Sequence, residues 1–222
     1  MTKTGEAARP PMELDADSLL DTLKAKQREI TVTAIAIVAI GGAAYLWRES
    51  VIKKDERAER ALATAASSYF QGNKALAQSD LDKMAERYKG TAAGVQGSMM
   101  LAQIMFELGK WDDGIKKLES ARGASVSDRF SPAIDGLIGG ALADQKKYDE
   151  AAKHYQAAAD KAPFAADKDL YRAEAARVLV LAGKKDDARK IWTEIASRRD
   201  SPAVGEAKIR LGELNAAPSA KP

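Results

Sequence analysis

Residues 30–47 run "ITVTAIAIVAIGGAAYLW", 18 positions without a charge, framed by Lys24, Lys26, Arg28 and Glu29 before and by Arg48 and Glu49 after. At 1.5 Å per residue a helix of that length reaches about 27 Å, close to the hydrocarbon thickness of a bilayer. Tyr45 and Trp47 stand where interfacial aromatics belong. A core helix here would have to be buried all round, since no polar face interrupts the run. A cleaved signal peptide is the stronger rival, with "GGAA" as its small-residue exit. Yet the 29 preceding residues carry 5 basic and 6 acidic side chains, unlike the short basic leader of a signal. The pattern favours an uncleaved transmembrane helix.

Beyond residue 53 no stretch alternates apolar and polar with β-branched enrichment, so strands are not expected. A longer period governs this part. "ELGKWDDGIKKLESA" (107–121), "DQKKYDEAAKHYQAA" (144–158) and "LAGKKDDARKIWTEI" (181–195) align without gaps at an offset of 37, and one step back lies "FQGNKALAQSDLDKM" (70–84). The turn position holds Gly72, Gly109, Lys146 and Gly183, where a helix end benefits from a left-handed residue. Five residues later come Ala77, Gly114, Ala151 and Ala188, and seven before the turn come Ala65, Ala102, Gly139 and Ala176. Small residues at both places predict antiparallel helices whose axes approach closely, with Leu81, Leu118, Tyr155 and Trp192 filling the groove alongside. The period predicts four helix-turn-helix units, with "AVGEAKIRLGELN" (203–215) as a capping helix and "AAPSAKP" (216–222) as a tail.

Composition agrees and removes several chemistries. Abundant alanine and 6% aromatic residues suit helices. The 35 basic and 32 acidic residues are intermixed, which gives nucleic-acid binding no support. Absence of cysteine excludes disulfides, thiolate metal sites and a thiol nucleophile, and fits an oxidising compartment. His154 is the single histidine. Its register holds Asp80, Lys117 and Ile191 in the other units, so the expectation is an exposed helix residue of no special role. The acidic pairs Asp112-Asp113, Asp149-Glu150 and Asp186-Asp187 follow the turns, where they complement a helix dipole. The glycine clusters lack the lysine and strand of a phosphate loop. No catalytic, cofactor or metal constellation is expected.

The third unit, "IGGALADQKKYDEAAKHYQAAADKAP" (138–163), resembles the tetratricopeptide family: Ile138-Gly139, Leu142, Tyr148, Ala151, Tyr155, Ala158 and Pro163 stand at its signature positions. In the second unit Trp111 keeps the aromatic after the turn, whereas Lys74 and Lys185 do not. The resemblance implies an all-α helical-repeat solenoid whose first helices line a concave face. Its ligand-facing positions fall on Leu62, Ala66 and Tyr69, on Met99, Gln103 and Phe106, on Gly136, Gly140 and Ala143, and on Ala173, Arg177 and Val180. Of these, Leu62, Tyr69, Met99, Gln103, Phe106, Arg177 and Val180 are the candidate partner contacts. Packing of the same stripe between adjacent repeats is the alternative. The lysine and asparagine with which some family members grip a C-terminal carboxylate are missing there.

The order of parts is a polar tail (1–29), one transmembrane helix (30–47), a repeat domain of four units and a cap (48–214) and a second tail (215–222). It resembles the bacterial family of ancillary SecYEG translocon subunits. That resemblance implies a single-pass inner-membrane protein, amino terminus cytoplasmic and repeats periplasmic. Its partners would be the translocon, a membrane-anchored periplasmic chaperone of the prolyl-isomerase type, exported client proteins and the lipid bilayer. Three basic residues (Lys24, Lys26, Arg28) precede the span and five (Arg48, Lys53, Lys54, Arg57, Arg60) follow it, a bias that favours the opposite orientation. A cytoplasm-facing adaptor is therefore the competing reading, and an enzyme of unknown kind a third, opposed by the missing motifs.

Overall fold

The computed structural model describes residues 26–122 and 127–216, so most of the amino-terminal tail, Lys24 included, and residues 217–222 lie outside the described residues. The chain divides into two units, Met1–Ile52 and Lys53–Pro222. Helix α1, Gln27–Phe70, begins in the first and ends in the second.

Within the first unit α1 carries the uncharged run. Val32, Ile35, Ile37, Val38 and Ile40 point around the whole helix and are all more than 60% exposed, as are Tyr45, Leu46 and Trp47. The stretch is long and apolar enough to cross a membrane, and none of it is buried by protein. It is not a core helix.

The second unit continues with α2 (Lys74–Arg87), α3 (Ala92–Glu107), α4 (Trp111–Arg122), a 3-10 turn (Ser127–Phe130) and α5 (Ser131–Asp144). Then come α6 (Tyr148–Lys161), α7 (Ala165–Leu181), α8 (Lys185–Ser197) and α9 (Val204–Asn215). No strand occurs among the described residues. From α2 onward each helix packs on the next.

The connections inside the units share one geometry, because Gly72, Gly109, Lys146 and Gly183 all have φ between 61° and 81°. In each, the left-handed residue and its successor donate back to the preceding helix, as in Gly109 N–H to Phe106 O at 2.9 Å and Lys110 N–H to Met105 O at 2.8 Å. This paired 5→2 and 6→1 arrangement caps the carbonyls a helix end leaves open. Lys146 adopts it without the freedom of glycine. Asn73 and Thr91 accept from Leu76 N–H and Gly94 N–H and so start α2 and α3.

Packing follows the repeat. Ala65, Ala77, Ala102, Gly114, Gly139, Ala151, Ala176 and Ala188 are all buried, and so are the groove fillers Leu81, Leu118, Tyr155 and Trp192. A Cβ on Gly114 would stand 3.1 Å from the Ala102 carbonyl oxygen and would strike the Phe106 ring. The apolar interior forms two clusters. One joins Ala58, Ala65, Ala77, Leu81, Leu101 and Ile104; the other runs from Val95 and Ala102 through Ile134, Tyr155 and Leu179 to Trp192 and Ala207. Helix α3 contributes to both.

Two carboxylates lie inside this apolar frame. Asp135 on α5, its side chain 3% exposed, receives Arg122 Nη1 at 3.1 Å, Lys161 Nζ at 2.9 Å and His154 Nδ1 at 3.0 Å. Asp169 on α7 pairs with Arg198. The position of His154 corrects the sequence expectation: it is half-buried against Asp135 rather than a free surface residue. Because the ionised carboxylate only accepts, Nδ1 carries the imidazole proton.

Candidate partner-binding surface

The candidate contacts separate into two clefts and a packed remainder. Tyr69 at the end of α1 and Gln103, Phe106 and Glu107 on α3, with Met100, line a cleft of about 350 Å³. Tyr69 and Phe106 occur one period apart, so the repeat itself sets them on neighbouring first helices. The Tyr69 hydroxyl donates to Glu107 Oε1 at 2.7 Å, and Lys74 Nζ meets Glu107 Oε2 at 2.7 Å. The Lys74 ammonium, and then the Tyr69 hydroxyl, hold the Glu107 carboxyl below its usual range, while Glu107 raises both partners. Phe106 stacks on Trp111, ring centroids 5.7 Å apart and 17° between planes, and its edge packs beside Gly114. Only one face of Phe106 is therefore open to the cleft, whereas Gln103 is exposed.

Arg177 and Val180, two periods further on, border a different cleft of about 430 Å³ between α7, α8 and α9. Arg177 Nε donates to Glu206 Oε1 at 2.8 Å and its other nitrogens reach Glu206 and Glu174. The hydrogen bonds with Glu206 raise the guanidinium and, from the other side, lower the Glu206 carboxyl. Arg210 bridges Glu206 and Glu213 on its own helix.

Leu62 and Met99 are partly buried against the two apolar clusters. In the third unit the corresponding places are taken by tyrosines: a Cβ on Gly136 would lie 2.7 Å from Tyr171 Cε1, and one on Gly140 would lie 3.5 Å from the Tyr155 hydroxyl. Ala66 and Ala143 are half-buried and Ala173 is fully buried. Burial pushes the Tyr155 hydroxyl up to about 12. The middle of the face is thus filled by the protein itself, and the openings lie on either side of it.

Sequence reasoning missed the cluster around Asp135. One signal was present: "SPAIDGLIGGALA" (131–143) holds a lone acid within an otherwise uncharged run that ends only at the helix's last residue, Asp144, and an acid placed so needs a cation brought from elsewhere. Asp135 accepts from three donors and faces no nucleophile, and no cluster of three or more metal-ligating side chains occurs among the described residues. The arrangement holds helices together and presents two clefts.

A family model described as a tetratricopeptide repeat-like domain matches residues 24–216. No curated protein matches the sequence significantly. Among solved structures, MamA is 18% identical over 68% of this chain and 81% of its own, with a TM-score of 0.53. Pseudomonas aeruginosa pilF is 17% identical over 72% and 68%, TM-score 0.55. The nearly identical TPR-like repeats of a Podosopora anserina kinesin light chain are 12% identical over 72% and 86%, TM-score 0.56. At such identities the likeness is one of fold. The chain belongs to the tetratricopeptide repeat-like family, whose members act by holding other proteins.

Proposed function

We propose that this protein is a membrane-anchored scaffold for protein-protein interaction, an ancillary subunit of the bacterial Sec translocon with its repeats in the periplasm. The observation that carries the anchored reading is the run of uniformly exposed apolar side chains on α1, long enough for a bilayer to cover. The translocon assignment rests on the resemblance in the order of parts, one apolar span followed by a repeat domain. In this reading the Tyr69, Gln103 and Phe106 cleft receives the translocon or a membrane-anchored prolyl-isomerase-type chaperone. Exported clients are handled nearby. Leu62 and Met99 support that surface from within.

A photo-crosslinker at position 103 is expected to capture translocon or chaperone components from intact inner membranes. Capture of neither overturns the assignment. The five basic residues that follow the span favour a second reading, a cytoplasm-facing adaptor. Alkaline phosphatase fused after Lys221 is expected to be active; an inactive fusion, with a cytoplasm-maturing fluorescent protein bright at the same place, establishes the adaptor instead. Retention in the pellet after alkaline carbonate separates anchor from cleaved signal.

A further inference from the structure

Beyond its apolar run, helix α1 carries its charges sorted by sign. Lys53, Lys54, Arg57 and Arg60 succeed one another at spacings of 3 and 4, and so do Asp55, Glu56 and Glu59, so each set shares one side of the helix. All of them are exposed, while Ala58 and Ala65 of the same helix are buried. Like charges at these spacings disfavour a helix, so helix stability does not account for the basic side. Arg60 meets Glu56 at 3.7 Å, but Lys54 and Arg57 form no ion pair among the described residues.

A second segment adds to that side. The Lys54 ammonium donates to the Lys89 carbonyl oxygen at 3.4 Å, which sets the connection between α2 and α3, with its exposed Lys89, beside the basic side of α1. Glu86, the nearest acid along that segment, is already held by Lys117 at 3.0 Å. Packing of the first repeat thus gathers cations from two stretches 35 residues apart and leaves them without an acid of their own.

The place of these cations along the chain points to their ligand. Lys54 comes seven residues after Trp47, which closes the uncharged run. That is about 10 Å along a helix, a step that long basic side chains bridge by reaching back toward the interface. The negative charge found there is the phosphate of lipid headgroups. We propose that Lys54 and Arg57, with Lys53 and Lys89 beside them, hold the phosphate of an anionic phospholipid of the phosphatidylglycerol class at the end of the span. A zwitterionic lipid fits less well, because its choline or ethanolamine brings a further cation against the basic side. A bound phosphate also offsets the repulsion among the like charges of α1. The site rests on the anchored reading of α1 and adds to it a preference among lipids.

The test places the full chain in phosphatidylcholine nanodiscs that contain, at equal mole fraction, either acyl-brominated phosphatidylglycerol or acyl-brominated phosphatidylcholine. Bromine quenches an indole that it touches, so Trp47 reports which lipid surrounds the end of the span. The emission of a Trp47→Phe chain, which keeps Trp111 and Trp192, is subtracted. At low salt phosphatidylglycerol is expected to gather around Trp47 about threefold to fivefold over phosphatidylcholine, and the preference to vanish in molar salt. Lys54→Gln with Arg57→Gln is expected to bring it close to equality at an unchanged melting temperature, and Arg57→Gln alone, which breaks no ion pair, to remove part of it. Asp55→Asn with Glu59→Gln changes the net charge by the same amount on the other side of α1 and is expected to leave the preference in place. Equal gathering of both lipids overturns the proposal, as does a preference that survives the basic variants or that follows net charge alone in every variant. Quenching without preference removes this site and keeps the anchor; a Trp47 quenched by neither lipid overturns the anchored reading and the site with it.

Discussion

In the first two repeats the acids that link helices sit at the surface. Lys117 reaches from α4 to Asp82 and Glu86 on α2, carboxylates more than half exposed, and Glu107 gathers Lys74 and Tyr69 in the open cleft. In the third and fourth repeats exposed links persist, Lys184 to Asp149 and Arg177 to Glu206, but two further linking acids are inside, Asp135 under Arg122, His154 and Lys161, and Asp169 under Arg198. Both halves obey the same 37-residue period and place the same small residues at their crossings. Exposed pairs contribute about 0–1 kcal/mol and weaken with salt. A buried acid cannot lose its partners so lightly, because the desolvated charge is left uncompensated. The carboxyl half thus adds buried acids with specific partners, while the amino half joins its helices by small-residue packing and by acids that stay open to water.

Removing the central acid tests this most severely. Asp135→Ala is expected to cost about 3 kcal/mol in denaturant unfolding, at the lower end for a broken buried pair because Lys161 and His154 keep some solvent. Hydrogen exchange is expected to quicken in α4 to α7 and to spare α2; equal quickening in both halves would break the distinction. Overpacking a crossing probes what the halves share. Ala151→Leu and Ala77→Leu, both at fully buried sites, are each expected to cost about 1–3 kcal/mol by thermal melting. A large difference between the two would mean that the crossings are not equivalent.

Acid separates the halves by a smaller margin. Burial pushes the Asp135 carboxyl up, but hydrogen bonds from His154, Arg122 and Lys161 outweigh it and hold the group well below its ordinary value of 3.8. A carboxyl depressed in the folded state contributes its full stability above that ordinary value and loses it as pH falls through 3.8 toward the folded one. The denaturation midpoint is therefore expected to be flat in Asp135's contribution above about pH 5 and to decline below it, with the decline shallower in Asp135→Asn. His154→Ala removes one of the three donors and is expected to cost about 1 kcal/mol, in contrast to the neutral change that the repeat pattern alone suggests. Lys146→Gly, at φ 61°, is expected to raise the melting point slightly, by about 0.5–1 kcal/mol of stability, since glycine relieves the left-handed conformation. Glu107→Gln is the smallest perturbation. It is expected to leave the melting point unchanged and to alter only capture by a crosslinker at position 103.

The candidate site was legible in part. Tyr69 and Phe106 could be placed together from the period, because equal register on consecutive first helices puts side chains on adjacent ridges. That Phe106 would stack on Trp111 and lie against Gly114 was not legible, since the stacking depends on the crossing angle and not on the spacing. Arg177 and Val180 were placed on the same stripe, yet their cleft is completed by Lys185, Trp192, Arg210 and Leu214, which belong to two other helices. The closing of the third unit's face by Tyr155 and Tyr171 was likewise hidden, because a glycine in a sequence does not say which side chain will occupy its space.

The sequence by itself determined the helical frame: an apolar helix at the amino end, four turns at a fixed spacing, and small residues where helices cross. Those features are local, being set by residue propensity, a left-handed turn residue and the volume a contact allows, and each recurs within a few residues of its cause. Tertiary structure alone decided which acid went inside and what met it. Arg122, Asp135, His154 and Lys161 come from three helices, and their meeting within 3.1 Å depends on how the second unit stacks on the third. No spacing along the chain encodes that distance. The buried charge and the half-filled face both arise from the packing of repeats on one another.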